Sequence, residues 1–211
     1  MSTAFAPVPA RTFLWRSRAW ISLSVLAPAA TVTVFSSPAV QIAHTWELAM
    51  VVAGWLLFCG GAVFRWWATL YIGGRKDMQD VICEGPYSVI RHPLYFGTFL
   101  MGVSVAFFLQ SLVFAAALAF TAFVYLGITL PREEQRLIAV YGESYRSYMS
   151  RVPRFWPRWS NFRSPATIEV KVVGLRAELL RTARWMWVPL FAHLLSHLRH
   201  EAWWPHWVAI W

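Results

Sequence analysis

Two short stretches concentrate the groups that could do chemistry. In YSVIRHPLYFG, residues 87–97, Arg91 and His92 stand directly before Pro93, with Tyr87 and Tyr95 on either side. Farther on, PREEQRL places Glu133 and Glu134 beside Arg132. Pro93 disfavours helical backbone at His92, so a helix is predicted to start at or just after Pro93. Such a start carries free N–H groups and a partial positive charge. With Arg91 it makes a pocket suited to a carboxylate or phosphate, and the two tyrosines add flat surfaces for a ring. A plainer account also stands: Arg91 fixes orientation by snorkelling and His92 caps the helix.

The glutamates allow two readings as well. Acidic groups near a helix start relieve its dipole, which covers one of them. A carboxylate pair facing a basic pocket could instead bind sugar hydroxyls or an amine, with the second pairing to Arg91 or Arg132. Tyr145, Arg146, Tyr148, Arg151 and Arg154 form an aromatic and basic strip. Most of it reads as a surface helix, with Arg146 or Arg151 able to close over an anion. His193, His197 and His200 share a helix face at metal-ligand spacing, but the aromatic surroundings favour interfacial histidines and no metal site is expected. Cys59 and Cys83 form no ligand pair. No GxGxxG, P-loop or GxSxG is present, so any cofactor must be held by other elements.

The elements that must position these groups are apolar helices. Of 211 residues, 58% are hydrophobic and only 14% charged, against about a quarter charged in soluble domains. Runs at 19–35, 48–64, 94–109 and 111–130 are nearly free of charge, and a spanning helix needs roughly 20 such residues. The last two runs abut, which predicts a hairpin turning at Gln110-Ser111. The first run follows basic residues as a signal peptide does, but Pro38 spoils a cleavage site at 36–39, so it is read as a retained helix. The fold class expected is all-α: a polytopic membrane protein with four or five transmembrane helices and a cytosolic or interfacial helical C-terminal region.

The net charge of +9 and fourteen tryptophans belong to the same picture. Arginine and lysine cluster before residue 19, between 65 and 91, and beyond 132, leaving 36–46 and the hairpin without any. Positive residues stay on the cytosolic side, so both termini and the 65–93 connection are expected there, in a bacterial inner membrane. The basic excess reads as topology and attraction to anionic lipid rather than nucleic-acid binding. Pro131 is expected in the first turn of a new helix, Gly142 to end or bend it, and Pro153 to stop the pattern. Gly60-Gly61 is read as an aid to packing. WMWVPLFAHLLSHL is too short to span by itself and reads as a surface or re-entrant segment before a tryptophan-rich anchor. The expected division is 1–72, N-terminal membrane helices; 73–158, a core of loop, hairpin and cytosolic helix; and 159–211, interfacial helices.

The order GPYSVIRHPLYFG, an apolar hairpin, REEQRL, then YGESYRSYMSRVPRFWP resembles the isoprenylcysteine carboxyl methyltransferase and phospholipid methyltransferase superfamily of integral membrane enzymes. The likeness covers about residues 73–158. It implies methyl transfer from S-adenosylmethionine to a lipophilic small-molecule or lipid acceptor at the cytosolic membrane face. On that resemblance Val81, Ile82, Tyr87, His92, Pro93, Leu94, Tyr95 and Glu133 would bind the cofactor. Arg91, Glu133 and Glu134 are the candidate catalytic residues, and Arg132 is the candidate substrate contact. Carboxyl-methylating members carry an arginine about one turn before the glutamates, where this chain reads Ile128-Thr129-Leu130-Pro131; a prenylcysteine acceptor is therefore not implied. Two other classes stay open: a nicotinamide-dependent membrane sterol-type reductase, which shares an RHP element, and a non-catalytic lipid-binding membrane protein.

Overall fold

The computed structural model describes residues 13–36, 44–73 and 81–207. Expectations placed on the amino-terminal Arg11, the cleavage site at 37–39, the charged stretch 75–77 and the last residues 208–211 lie outside the described residues. Those described are helical, with no strand among them.

Helix α1 (Phe13–Val34) lies antiparallel to α5 (Leu112–Val124). Ser22 Oγ meets Tyr125 Oη at 2.9 Å near one end, and Thr33 Oγ1 meets Ser111 Oγ at 2.8 Å near the other. Helix α2 runs from His44 to Gly73. It therefore takes up Arg65, Trp66 and Trp67, which the charge pattern placed in the 65–93 connection and the apolar pattern, with its 1–72 bound, placed among the membrane helices. After the single turn α3 (Pro86–Val89) comes α4 (Pro93–Leu109), antiparallel to α2. A Cβ on Gly61 would lie 2.6 Å from the Gly97 carbonyl oxygen, and one on Gly97 would lie 2.6 Å from that of Gly61. The missing side chains let the two backbones touch, while Gly60 faces open space.

The predicted hairpin is present. Gln110 adopts the left-handed conformation (φ 47°) and the Ser111 hydroxyl caps α5 by accepting from Phe114 N at 3.3 Å. From Leu112 the chain stays helical through a π turn (Tyr125–Thr129) into α6 (Leu130–Tyr141). Pro131 therefore does not open a separate helix. Proline cannot donate to the carbonyl four residues earlier, and the wide π turn before it absorbs that defect. Gly142 (φ +57°) ends α6, and α7 (Glu143–Arg151) stops before Pro153.

The C-terminal helices α8 (Val172–Trp185) and α9 (Trp187–Leu198) depart from the surface placement expected of them. Glu178 and Thr182 of α8 bond Arg65 and Trp66 of α2. His193 packs on Phe108, and buried Arg199 donates to the Leu109 and Ser36 carbonyl oxygens at 3.1 and 3.3 Å. The pair thus runs the full length of α4 and ends where α1 and α4 end. There Trp204 Nε1 donates to Val34 O at 2.8 Å, and Trp207 stacks on Phe35 at 4.2 Å. The start of α1 and residues 199–207 consequently lie at opposite ends of the bundle, against the expectation that both termini share a side. Residue spacing could not reveal this, because Arg199 and its carbonyl partners meet only in the folded chain.

Among the described residues, Trp46–Ile72 and Leu112–Tyr141 are long and apolar enough to cross a membrane, with Ser22–Val34 and Pro93–Leu109 apolar but shorter. Leu56, Leu112 and Phe123 of these helices are more than two-thirds exposed, at 70%, 81% and 72%, as lipid-facing side chains are.

Candidate functional site

The site forms where the start of α4 meets α6. Because the helix is continuous from Leu112 to Tyr141, Glu133 and Glu134 are not beside a free helix start, and relief of a dipole does not explain them. Glu134 is 2% exposed. Its Oε1 accepts from Arg91 Nη1 at 2.7 Å and lies 3.2 Å from both His92 Nε2 and Arg154 Nε. Its Oε2 accepts from Arg154 Nη2 at 2.6 Å. Both oxygens are thereby used, so Glu134 is an internal counter-ion with no lone pair free to take a substrate proton. Glu133, next along α6, accepts from the Tyr95 phenol at 2.9 Å.

The residues before Pro93 have little regular structure of their own and are clasped by the chain that follows α7. Gly85 N donates to Arg163 O at 2.7 Å, Arg158 N to Val89 O at 3.0 Å, and Arg91 N to Pro153 O at 2.9 Å. The Ser88 hydroxyl accepts from Arg163 N at 3.0 Å, and the Tyr148 phenol donates to Tyr87 O at 2.8 Å. Gly85 is required twice over: its φ is +58°, and a Cβ would fall 2.3 Å from the Tyr71 ring. The Tyr148 phenol is pushed above its ordinary range by burial, reinforced by neighbouring Tyr145, Cys83 and Tyr87. Tyr87 is raised by burial first and by Glu133 second, with Arg65 opposing. Both therefore keep their protons, and Tyr148 uses its own to hold the Tyr87 carbonyl.

Arg91, His92, Pro93, Tyr95, Glu133 and Glu134 come together at one end of the bundle. Pro93 is buried, and His92 is the residue preceding α4. Leu94 turns its carbonyl toward Thr98 and Arg65. Val81 packs with the Tyr145, Tyr148 and Val152 cluster, and Ile82 is partly buried nearby in sequence. Arg132 is exposed. Arg146 is exposed and 3.9 Å from Glu143, while Arg151 donates to Ser147 O on its own helix; the guanidinium that closes on Glu134 is Arg154. The Val-Pro-Arg after α7 was its available signal, since Pro153 turns the chain back toward Arg91. Phe155 then fills the space against Phe96 and Phe99 at 5.6 and 5.4 Å.

The fit to a cofactor with an anionic end can be judged from one atom. Arg91 Nε is buried and has no acceptor among the described residues. A buried guanidinium N–H without a partner is costly, and a carboxylate bound beside it would meet that need. At the far end His193 and His197 place their Nε2 atoms 3.3 Å apart, while His200 lies past the end of α9; no group of three metal-ligating side chains occurs among the described residues.

A family comparison takes in the start of α4 and the paired glutamates. The phospholipid methyltransferase family model matches residues 49–144. The nickel-cobalt-cadmium resistance protein NccN of Alcaligenes xylosoxydans xylosoxydans is 32% identical over 97% of this chain and 95% of its own length. The cobalt-zinc-cadmium resistance protein CzcN of Cupriavidus metallidurans is 35% identical over 56% of this chain and 53% of its own. Protein-S-isoprenylcysteine O-methyltransferase B of Arabidopsis thaliana is 30% identical over 37% of this chain and 40% of its own. No solved structure matches.

Proposed function

The chain belongs to the isoprenylcysteine carboxyl methyltransferase and phospholipid methyltransferase superfamily of membrane methyltransferases, and from that premise we propose that it methylates a lipophilic acceptor with S-adenosylmethionine at the cytosolic membrane face. The observation that carries the proposal is the gathering of Arg91, His92 and Arg154 on Glu134 beside the Tyr95–Glu133 pair.

When bound, S-adenosylmethionine supplies a methyl group already activated by its positive sulfur. The residues then have to bind, orient and exclude water. Arg91, with its spare Nε donor, would take the methionine carboxylate. Tyr87, Leu94 and Tyr95, with Val81 and Ile82 leading into the loop, would hold the rest, and the Glu133 carboxylate would favour the cationic end. Glu134 holds Arg91 and His92 in place, and Arg132 at the exposed face of α6 would meet the acceptor's polar group. Alignment of this kind can supply about 7–11 kcal/mol without any acid or base. Residues 73–158 are the proposed catalytic core, with the acceptor reaching it from the bilayer between the helices.

We read α1, α2, α4, α5 with α6, and α8 with α9 as five crossings, which puts the amino terminus in the cytosol and residues 199–207 outside it. The proteins named for metal resistance suggest a metal-challenged bacterial membrane as the setting. The decisive experiment incubates purified protein with radiolabelled methyl donor and host lipid extract. Saturable donor binding by calorimetry and a labelled apolar product are expected. No binding, or a thermal shift with nicotinamide cofactor instead, would overturn the reading.

A further inference from the structure

A second ionic cluster lies behind the start of α4, where Glu178, beyond the 49–144 family match, meets Arg65 inside it. Arg65 sits in the apolar helix α2, 16% exposed, and an arginine at such depth is retained only with partners. Each of its three guanidinium nitrogens has an acceptor. Nε and Nη2 meet Glu178 Oε1 at 2.7 and 2.6 Å, and Nη1 meets Thr98 Oγ1 at 2.5 Å and Leu94 O at 3.3 Å. Glu178, on α8, is 4% exposed and also accepts from Arg181. The register of α8 is pinned one turn on, where Thr182 Oγ1 accepts from Trp66 Nε1 at 3.0 Å.

Gly97 makes this reach possible. A Cβ there would lie 2.6 Å from Arg65 Cγ, so the arginine passes directly over the bare backbone of α4 to hold its first turn at Leu94 and Thr98. Leu94 and Tyr95 are in that turn, and Tyr87 lies within reach of the Arg65 charge. Without the Glu178 carboxylate, the guanidinium would be an uncompensated charge among apolar helices. It would turn toward the headgroups and release Leu94.

We propose that Glu178 is a positioning residue for the methyl-donor site, acting through Arg65 to fix the first turn of α4, so that the C-terminal helices are a working part of the enzyme. The inference rests on the reading of that turn as a methyl-donor site.

The test compares wild type, Glu178→Leu, and the double variant Arg65→Met with Glu178→Leu, each as full-length protein in lipid nanodiscs. Three quantities are measured: calorimetric affinity for S-adenosylmethionine, thermal midpoint, and amide hydrogen exchange across residues 94–98. Glu178→Leu is expected to weaken donor affinity about tenfold, lower the midpoint and raise exchange at 94–98. The double variant removes the stranded charge, so its midpoint should recover while donor affinity stays low and exchange stays high. Recovery of all three in the double variant would reduce Glu178 to a charge partner and overturn the proposal. So would wild-type affinity and exchange in Glu178→Leu. Failure of the wild type to bind the donor would instead remove the functional reading, and the exchange at 94–98 would still decide whether Glu178 braces that turn.

Discussion

Glu134 and Glu178 are the two buried carboxylates among the described residues, at 2% and 4% exposure, and both bear on the first turn of α4. Each sits between two guanidiniums, one mostly buried and one more open: Arg91 and Arg154 for the first, Arg65 and Arg181 for the second. They differ in what is left over. Around Glu178, every nitrogen of Arg65 has an acceptor within the chain. Around Glu134, Arg91 keeps a buried Nε donor without one, and His92 adds a further donor to the same carboxylate. A cluster whose nitrogens are all met braces; donor capacity to spare is what the proposed methyl-donor site requires.

Removing Glu134 should have the largest effect. Glu134→Leu strands the Arg91 guanidinium, 12% exposed, beside buried His92, a loss of about 3–5 kcal/mol. Donor binding by calorimetry is expected to disappear, with a lowered thermal midpoint. Gly97→Ala comes next, because its Cβ would meet the Gly61 carbonyl as well as Arg65. Overpacking of about 1–3 kcal/mol is expected in a denaturation midpoint, with α2 forced away from α4. The two more open arginines sharpen the contrast. Arg154 and Arg181 are 41% and 53% exposed, so either ion pair is largely screened and worth at most about 1 kcal/mol in stability. Arg154→Ala should still weaken donor affinity measurably by calorimetry, whereas Arg181→Ala should leave it unchanged; equal effects would erase the distinction between site and brace. Arg132→Ala should shift stability by less than about 0.5 kcal/mol and leave donor affinity intact, raising only the KM for the acceptor in a labelled-methyl assay.

Much of the Glu134 side was legible beforehand. The start of α4 at Pro93, the hairpin at Gln110-Ser111 and the ends of α6 and α7 follow from proline geometry, a serine cap and a glycine at positive φ. All are local, and local rules read them. The Glu178 side was hidden because its parts are far apart along the chain. Arg65 looked like part of a charged connection, and the mixed charge of 168–184 masked a helix that packs along the bundle. An arginine interrupting a long apolar run was a usable sign of a buried partner, but nothing in the spacing said which acid would answer it. Arg154 was missed for a similar reason: Arg146 and Arg151 share its composition, and only the turn at Pro153 selects among them.

The sequence by itself determined that the chain is helical and apolar, where several of its helices start or stop, and that Arg91-His92-Pro93 and Glu133-Glu134 are the candidates for its chemistry. Those features depend on side-chain period and on backbone restrictions within a few residues. Only the tertiary structure decided that Glu134 is enclosed while Glu133 meets Tyr95, that Arg154 completes the cluster, and that the C-terminal helices run along α2 and α4 rather than over the surface. Those outcomes depend on which buried charges and backbone groups meet across the bundle, and that is fixed by packing rather than by any local pattern.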